Sequence, residues 1–244
     1  MNLDDYLIQL DGGNTSAPDK LTLPPGFVKQ LFDLYSDAEA RGLERGGPLS
    51  CDRATRTFAL GEVAEGLPTS MDIPVTDHPG NFGDVHAHPS TSIGRPGGGY
   101  CAHSTADLTN FDKTRGKPFW IQFVTSGPMH YAMVQVNGVS KWDGTVRAFL
   151  STRGQEVEDQ IMTAVIKVAG GEPKWARKLE QSESDPFRRE RLYVKYKAKA
   201  GAGNLRQHLS VKHCAEFAQE YDFFFYTGSG GTATRTLARS AKLS

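Results

Sequence analysis

The sequence predicts a mixed α/β fold: a central mixed sheet flanked by helices, followed by a mainly helical C-terminal extension. Three observations carry this. Lys20-Leu-Thr-Leu23 alternates as a strand does, then gives way at Pro24-Pro25 to a helical stripe of Phe27, Leu31, Leu34 and Ala38. Pro118-Phe-Trp-Ile-Gln-Phe-Val-Thr125 is apolar on both faces, as befits a strand covered by two layers. From about Phe149 the periodicity turns helical. We therefore expect a main domain over residues 1–148, an extension packing on it over 149–227, and a mobile tail over 228–244.

In chain order, residues 1–19 mix Asp, Gly, Asn, Ser and Pro and read as an irregular lead-in, with Tyr6–Leu10 as a short strand. The helix opened by Pro24-Pro25 uses positions where a missing N–H costs nothing, and Gly42 is its stop. Residues 43–50 are extended, and Thr57–Leu60 is the next strand, reached through the turn at Cys51-Asp-Arg-Ala. Residues 61–83, rich in Gly, Pro and Asp, read as a long loop, and loops of that size in compact domains tend to be functional. After the 118–125 strand, Ser126–His130 turns and Tyr131–Val136 pairs back. Thr152-Arg-Gly-Gln155 offers a capping box for a helix with Val157, Ile161, Val165 and Val168 on one face, stopped at Gly170-Gly171. Leu205, Leu209, His213 and Phe217 mark another helix. Tyr221–Thr227 is apolar and expected to pack on the core.

Composition is that of an ordinary globular protein. The 244 residues are 38% hydrophobic and 23% charged, with zero formal net charge. No bulk field draws the chain toward nucleic acid or anionic membrane. The start, Met1-Asn-Leu-Asp-Asp-Tyr, carries acids where a secretory signal would carry cations, and no apolar run is of membrane-spanning length. Cys51, Cys101 and Cys214 are odd in number, widely spaced and form no C-x-x-C, which suits a reducing compartment. The expectation is a cytoplasmic protein. Arg188, Arg189, Arg191, Lys195, Lys197 and Lys199 form a basic cluster. Without a nucleic-acid motif around it, it reads as a solvated or partner-facing surface.

The stretch from Asp84 to Asp107 carries the chemistry. His86 and His88 are two apart, so in a strand both imidazoles leave the same face, and Pro89 places them where the strand ends. Two converging imidazoles suit a borderline-soft metal, zinc first. Ser104-Thr-Ala-Asp107 reads as a helix N-terminus, and its first-turn Asp107 can face the histidines. Two His and one Asp leave a fourth zinc position open, the arrangement of a catalytic rather than a structural site. Upstream lies Glu44, three residues before Gly47 in an extended piece. Alone it would read as a solvated surface acid. Cys101 lies near this stretch in sequence and could approach the metal or be an idle buried thiol.

Taken in order, Glu44-x-x-Gly47, His86-x-His88-Pro89 and Ser104-x-x-Asp107 resemble the JAMM motif of the JAB/MPN metallopeptidases, over roughly residues 20–138. The chain departs from the family in its longer spacer, Ser90 to His103, which contains Arg95-Pro-Gly-Gly-Gly99. That insertion reads either as a flap over the substrate or as a tolerated surface loop. The resemblance implies a JAB/MPN-like (cytidine-deaminase-like) fold, Zn2+ held by His86, His88 and Asp107, and Glu44 as the base. It makes Ser104 the donor to a developing oxyanion, a role that competes with capping for one hydroxyl. It further implies hydrolysis of an isopeptide or peptide bond to a ubiquitin-like protein, as in bacterial relatives that remove such modifiers, some within antiphage conjugation systems.

Other readings fit less well. There is no His-Glu-x-x-His and no deaminase Pro-Cys-x-x-Cys. Another zinc amidohydrolase would want further histidines, and His208 and His213 lie five apart on an expected helix, on different faces. The rival from a different class is a JAB fold that scaffolds a complex without catalysis; the full set of ligand-type residues here argues for activity.

Overall fold

The protein is described by a computed structural model covering residues 1–11, 16–52, 54–55, 57–73, 80–90, 101–113, 121–135, 144–183 and 185–236. The Gly-rich part of the 90–103 insertion and the last residues of the expected tail lie outside the described residues.

The first element is a helix. Leu3, Tyr6, Leu7 and Leu10 recur at helical spacing and are buried along one face of α1 (Leu3–Asp11), with Asp4 and Asp5 in its first turn. The expected Tyr6–Leu10 strand is therefore corrected. A polar-looking lead-in hid a complete i, i+3, i+4, i+7 stripe. β1 (Lys20–Thr22) follows, then α2 (Pro25–Arg41), with Pro at its first position and Phe27, Leu31, Leu34 and Ala38 buried. Gly42 ends it in the left-handed conformation (φ 66°), its N–H turned back to the carbonyls of Ala38 and Glu39. Two residues later the chain reaches Glu44 and enters β2 (Arg45–Asp52). β3 (Thr57–Leu60) pairs back on β2, and the expected 61–83 loop contains a two-residue strand, β4 (Ala64–Glu65), also paired with β2.

β5 (Asn81–Ala87), α3 (Thr105–Lys113) and β6 (Ile121–Ser126) form a strand–helix–strand unit, with β5 and β6 parallel. β7 (Met129–Gln135) returns antiparallel to β6. α4 (Gly144–Ala169) begins before the expected start at Thr152, which lies inside it. Val146 and Leu150 are buried and extend the stripe backward, so the Thr-x-x-Gln pattern is no cap here. α5 (Glu172–Glu180), α6 (Pro186–Lys199) and α7 (Ala202–Glu220) follow, and α6, which carries the basic cluster, buries no residue.

The extension is helical as far as α7 and then returns to the sheet. β8 (Phe223–Ser229) pairs with β7, and β9 (Thr232–Arg235) pairs with β8 and β1. Part of the expected mobile tail is therefore an ordered strand. Among the described residues the sheet has nine strands in the order β1-β9-β8-β7-β6-β5-β2-β3, with β4 beside β2. The fold is mixed α/β, a mixed sheet flanked by helices.

The two faces of the sheet pack different helices. Leu49, Val85, Ala87, Ile121 and Phe123 join α1 and α2 in one buried cluster. Val124, Tyr131, Met133 and Phe225 join α3, α4 and α7 in another. Successive strand residues leave opposite faces. With Val85 and Ala87 committed to the α2 side, Asp84 and His86 face α3.

Candidate metal centre

β5 is buried along its whole length, and its carboxyl end brings His86 and His88 to one spot. The backbone N–H of His88 donates to the Thr125 carbonyl (2.9 Å) and the Ser126 hydroxyl donates to the His88 carbonyl (3.0 Å), so β6 holds that end in place. The crossover helix α3 starts beside it. Ser104 caps α3 reciprocally with Asp107: the Ser104 N–H donates to Asp107 Oδ2 (2.6 Å) and the Asp107 N–H to Ser104 Oγ (3.2 Å). The hydroxyl oxygen accepts in this cap, so its own proton stays free to donate elsewhere. Capping and a donor role for Ser104 are compatible.

The β2–β5 register pairs Arg45 with Ala87 and Gly46 with His86. Continued by one residue, it sets Glu44 across from His88. Close approach is possible because residues 46 and 47 are glycines. A Cβ at Gly46 would lie 2.7 Å from His86 Cβ and 2.5 Å from the Val85 carbonyl oxygen, and one at Gly47 would lie 2.6 Å from the Glu62 carbonyl oxygen. The backbone of Glu44 is itself tied down, its N–H to the Leu67 carbonyl and its carbonyl to the Gly66 N–H.

All five predicted residues reach this region. His86 Nε2 and His88 Nε2 are 3.1 Å apart; Asp107 Oδ1 lies 3.2 Å from the first and Asp107 Oδ2 3.3 Å from the second. Glu44 Oε1 is 4.0 Å from His88 Nε2. Glu44, His86 and His88 are buried, present ligand atoms within 4.8 Å of one another, and could hold a metal ion. Asp107 lies closer than Glu44 to the two rings.

The donor set can be tested against zinc. Bonds of about 2.0–2.1 Å in a tetrahedron set neighbouring ligand atoms about 3.3 Å apart. The separations of 3.1, 3.2 and 3.3 Å are of that size, the last two running to different oxygens of Asp107. Two neutral imidazoles facing Nε2 to Nε2 at 3.1 Å need either a shared proton or a cation between their lone pairs. The electrostatics express the same demand. Burial opposes charge on His86, but the Asp107 carboxylate, with help from Asp84, pushes its pKa up to about 9. His88 is also raised against its burial, with Cys101 and Asp107 as the causes. Asp107, despite burial, is held well below the usual carboxylate range by the two rings. The cluster is built for positive charge at its centre.

Further groups lie around these residues, and of them Asp84 has no role in the expectations from sequence. Cys101 Sγ lies 3.3 Å from His88 Nδ1, the nitrogen remote from the cluster, so the thiol touches a ligand ring rather than the metal position. Asp84 stands behind His86, its Oδ1 3.6 Å from His86 Nδ1, and Gln122 Nε2 donates to its other oxygen (3.2 Å). The signal for Asp84 was available: it is two residues before His86 on a strand, hence on the same face. His208 and His213 both lie in α7, and His213 is buried by Phe149, with ring centroids 6.0 Å apart.

Comparison with protein-family models, with curated proteins and with solved structures finds no match to this chain.

Proposed function

We propose that this protein is a zinc-dependent isopeptidase or peptidase of the JAB/MPN kind, removing a ubiquitin-like protein from conjugates or precursors. The observation that carries this reading is the meeting of His86 and His88, Nε2 to Nε2 at 3.1 Å, with the Asp107 carboxylate within 3.2–3.3 Å of both and Glu44 beside them. The order of these residues along the chain, with Ser104 three before Asp107, is that of the JAMM motif.

His86, His88 and Asp107 would hold the ion. Bound there, zinc supplies Lewis acidity and brings the pKa of a water from about 15.7 to about 7. Glu44 faces the same spot from the β2 side. It takes the proton of the attacking water and passes it to the leaving amine, the work of a general base turned acid. Glu44 is buried, only 7% exposed. The Ser104 hydroxyl, accepting from the Asp107 N–H, has its proton available for the developing oxyanion.

Selectivity for a folded modifier follows from a physical need. A bare zinc site discriminates little among amides, so binding energy from a folded part remote from the scissile bond must position an extended tail. The 61–83 segment, the 90–103 insertion and the residues after Phe149 are the parts of the chain available for this.

Two measurements test the reading. Purified protein should contain one zinc per chain, and a His86→Ala/His88→Ala variant should contain none; equal zinc in both would sink the ligand assignment. A fusion or conjugate of a candidate ubiquitin-like protein should be cleaved far faster than a short peptide carrying the same tail. Comparable rates, or cleavage of unrelated unfolded proteins, would leave only a general metallopeptidase.

A further inference from the structure

His86 has a ring nitrogen on each side of the site. Nε2 faces Asp107 and His88, while Nδ1 is buried and makes no hydrogen bond among the described residues. Asp84 Oδ1 lies 3.6 Å from it and is also buried and without a hydrogen-bond partner among the described residues. Two orphaned polar atoms facing each other inside a protein are costly apart and satisfied together. The gap is slightly longer than a hydrogen bond, as such contacts often are before the ligand that tightens them is bound.

Asp84 is itself held. It is 5% exposed and lies opposite Gln122 in the parallel β5–β6 pairing, and the Gln122 amide donates to its Oδ2. Gln122 is anchored in turn through its carbonyl, which faces His103 Nε2 at 3.2 Å. The carboxylate therefore has one oxygen fixed by the sheet and the other aimed at His86.

We propose that Asp84 is the positioning residue of the metal centre, accepting the Nδ1–H of His86 so that the Nε2 lone pair points at the ion. This inference rests on the zinc reading above. An imidazole has one proton to place, and a carboxylate behind Nδ1 selects the tautomer that leaves Nε2 free and fixes the ring plane. On the two flanking strands the positions paired with His86 are Gly46 and Val124, neither of which carries a side-chain acceptor.

Zinc affinity measured against a chromophoric chelator separates this from a structural role, using wild type, Asp84→Leu and Asp84→Asn. Asp84→Leu keeps similar bulk without an acceptor and should weaken zinc binding about 10–100-fold. Asp84→Asn keeps a neutral acceptor, which the Gln122 amide can match by turning over, and should recover part of that loss. In the zinc-loaded wild type the His86 Nδ1 proton should be visible by NMR and slow to exchange; in Asp84→Leu it should exchange freely. Wild-type affinity and an unchanged Nδ1 proton in Asp84→Leu would overturn the role of Asp84 while leaving the zinc site standing. A wild-type protein that binds no zinc would overturn both.

Discussion

Acid should destabilise this protein through one buried histidine remote from the metal cluster. His213 sits in α7 against Phe149, is 6% exposed, and its Nε2 has no hydrogen-bond partner among the described residues. Burial, with the nearby Arg153 charge adding and Glu156 opposing, lowers its pKa from 6.5 to about 4. The sign follows from which state binds the proton. Below pH 6.5 the unfolded chain protonates this ring while the folded protein keeps it neutral, so stability falls as pH drops. The loss levels off near pH 4, where the folded state also takes the proton. The interval of 2.5 between 6.5 and about 4, at 1.36 kcal/mol per unit, is about 3 kcal/mol. Urea unfolding of wild type and His213→Leu at several values between pH 7.5 and 4 isolates this ring, since other groups act equally in both. The stability difference should shift by about 3 kcal/mol in favour of the variant over that interval. Parallel curves would refute the reasoning, because they would mean that the ring titrates normally in the folded protein.

Glu44→Gln should retain zinc and lose about 100-fold or more in hydrolysis, the range of a general base; near-normal turnover with intact zinc would assign that task to another group. Ser104→Gly should lower stability by only a few tenths of a kcal/mol, since Gly is a tolerated N-cap. It should nevertheless lower turnover about 100-fold if the hydroxyl donates to the oxyanion, and equal small effects on both would leave Ser104 a cap alone. Zinc added to the metal-free protein near neutral pH should release protons into weak buffer, because His86, with a pKa of about 9, holds a proton that the metal must displace. Apparent zinc affinity should rise with pH until about 9, and a flat profile would contradict the charge balance of the cluster.

The sequence by itself determined the parts of the site whose geometry is local. His86 and His88 share a face because strand periodicity is two, and Asp107 turns back to Ser104 because helix-start chemistry works over three residues. Gly42 ends α2 because the left-handed turn there suits glycine. Local patterns also misled. Polar neighbours mask the stripe Leu3, Tyr6, Leu7, Leu10, and Thr152-x-x-Gln155 imitates a cap inside a helix that starts at Gly144. Thr232–Arg235, directly after the Gly230-Gly231 turn, form β9 because β8 and β1 pair with it on its two sides.

Only the tertiary structure decided that Glu44 meets His88, since that depends on the register between β2 and β5, strands separated by a long connection. It also decided that Asp107 faces the rings, through the crossover that lays α3 at the carboxyl end of β5, and that Asp84 stands behind His86 with Gln122 bracing it. Periodicity reports which face a residue takes within its own element. Which other element covers that face is set by strand pairing and burial of the whole sheet, contacts between residues far apart in the chain that no local pattern records.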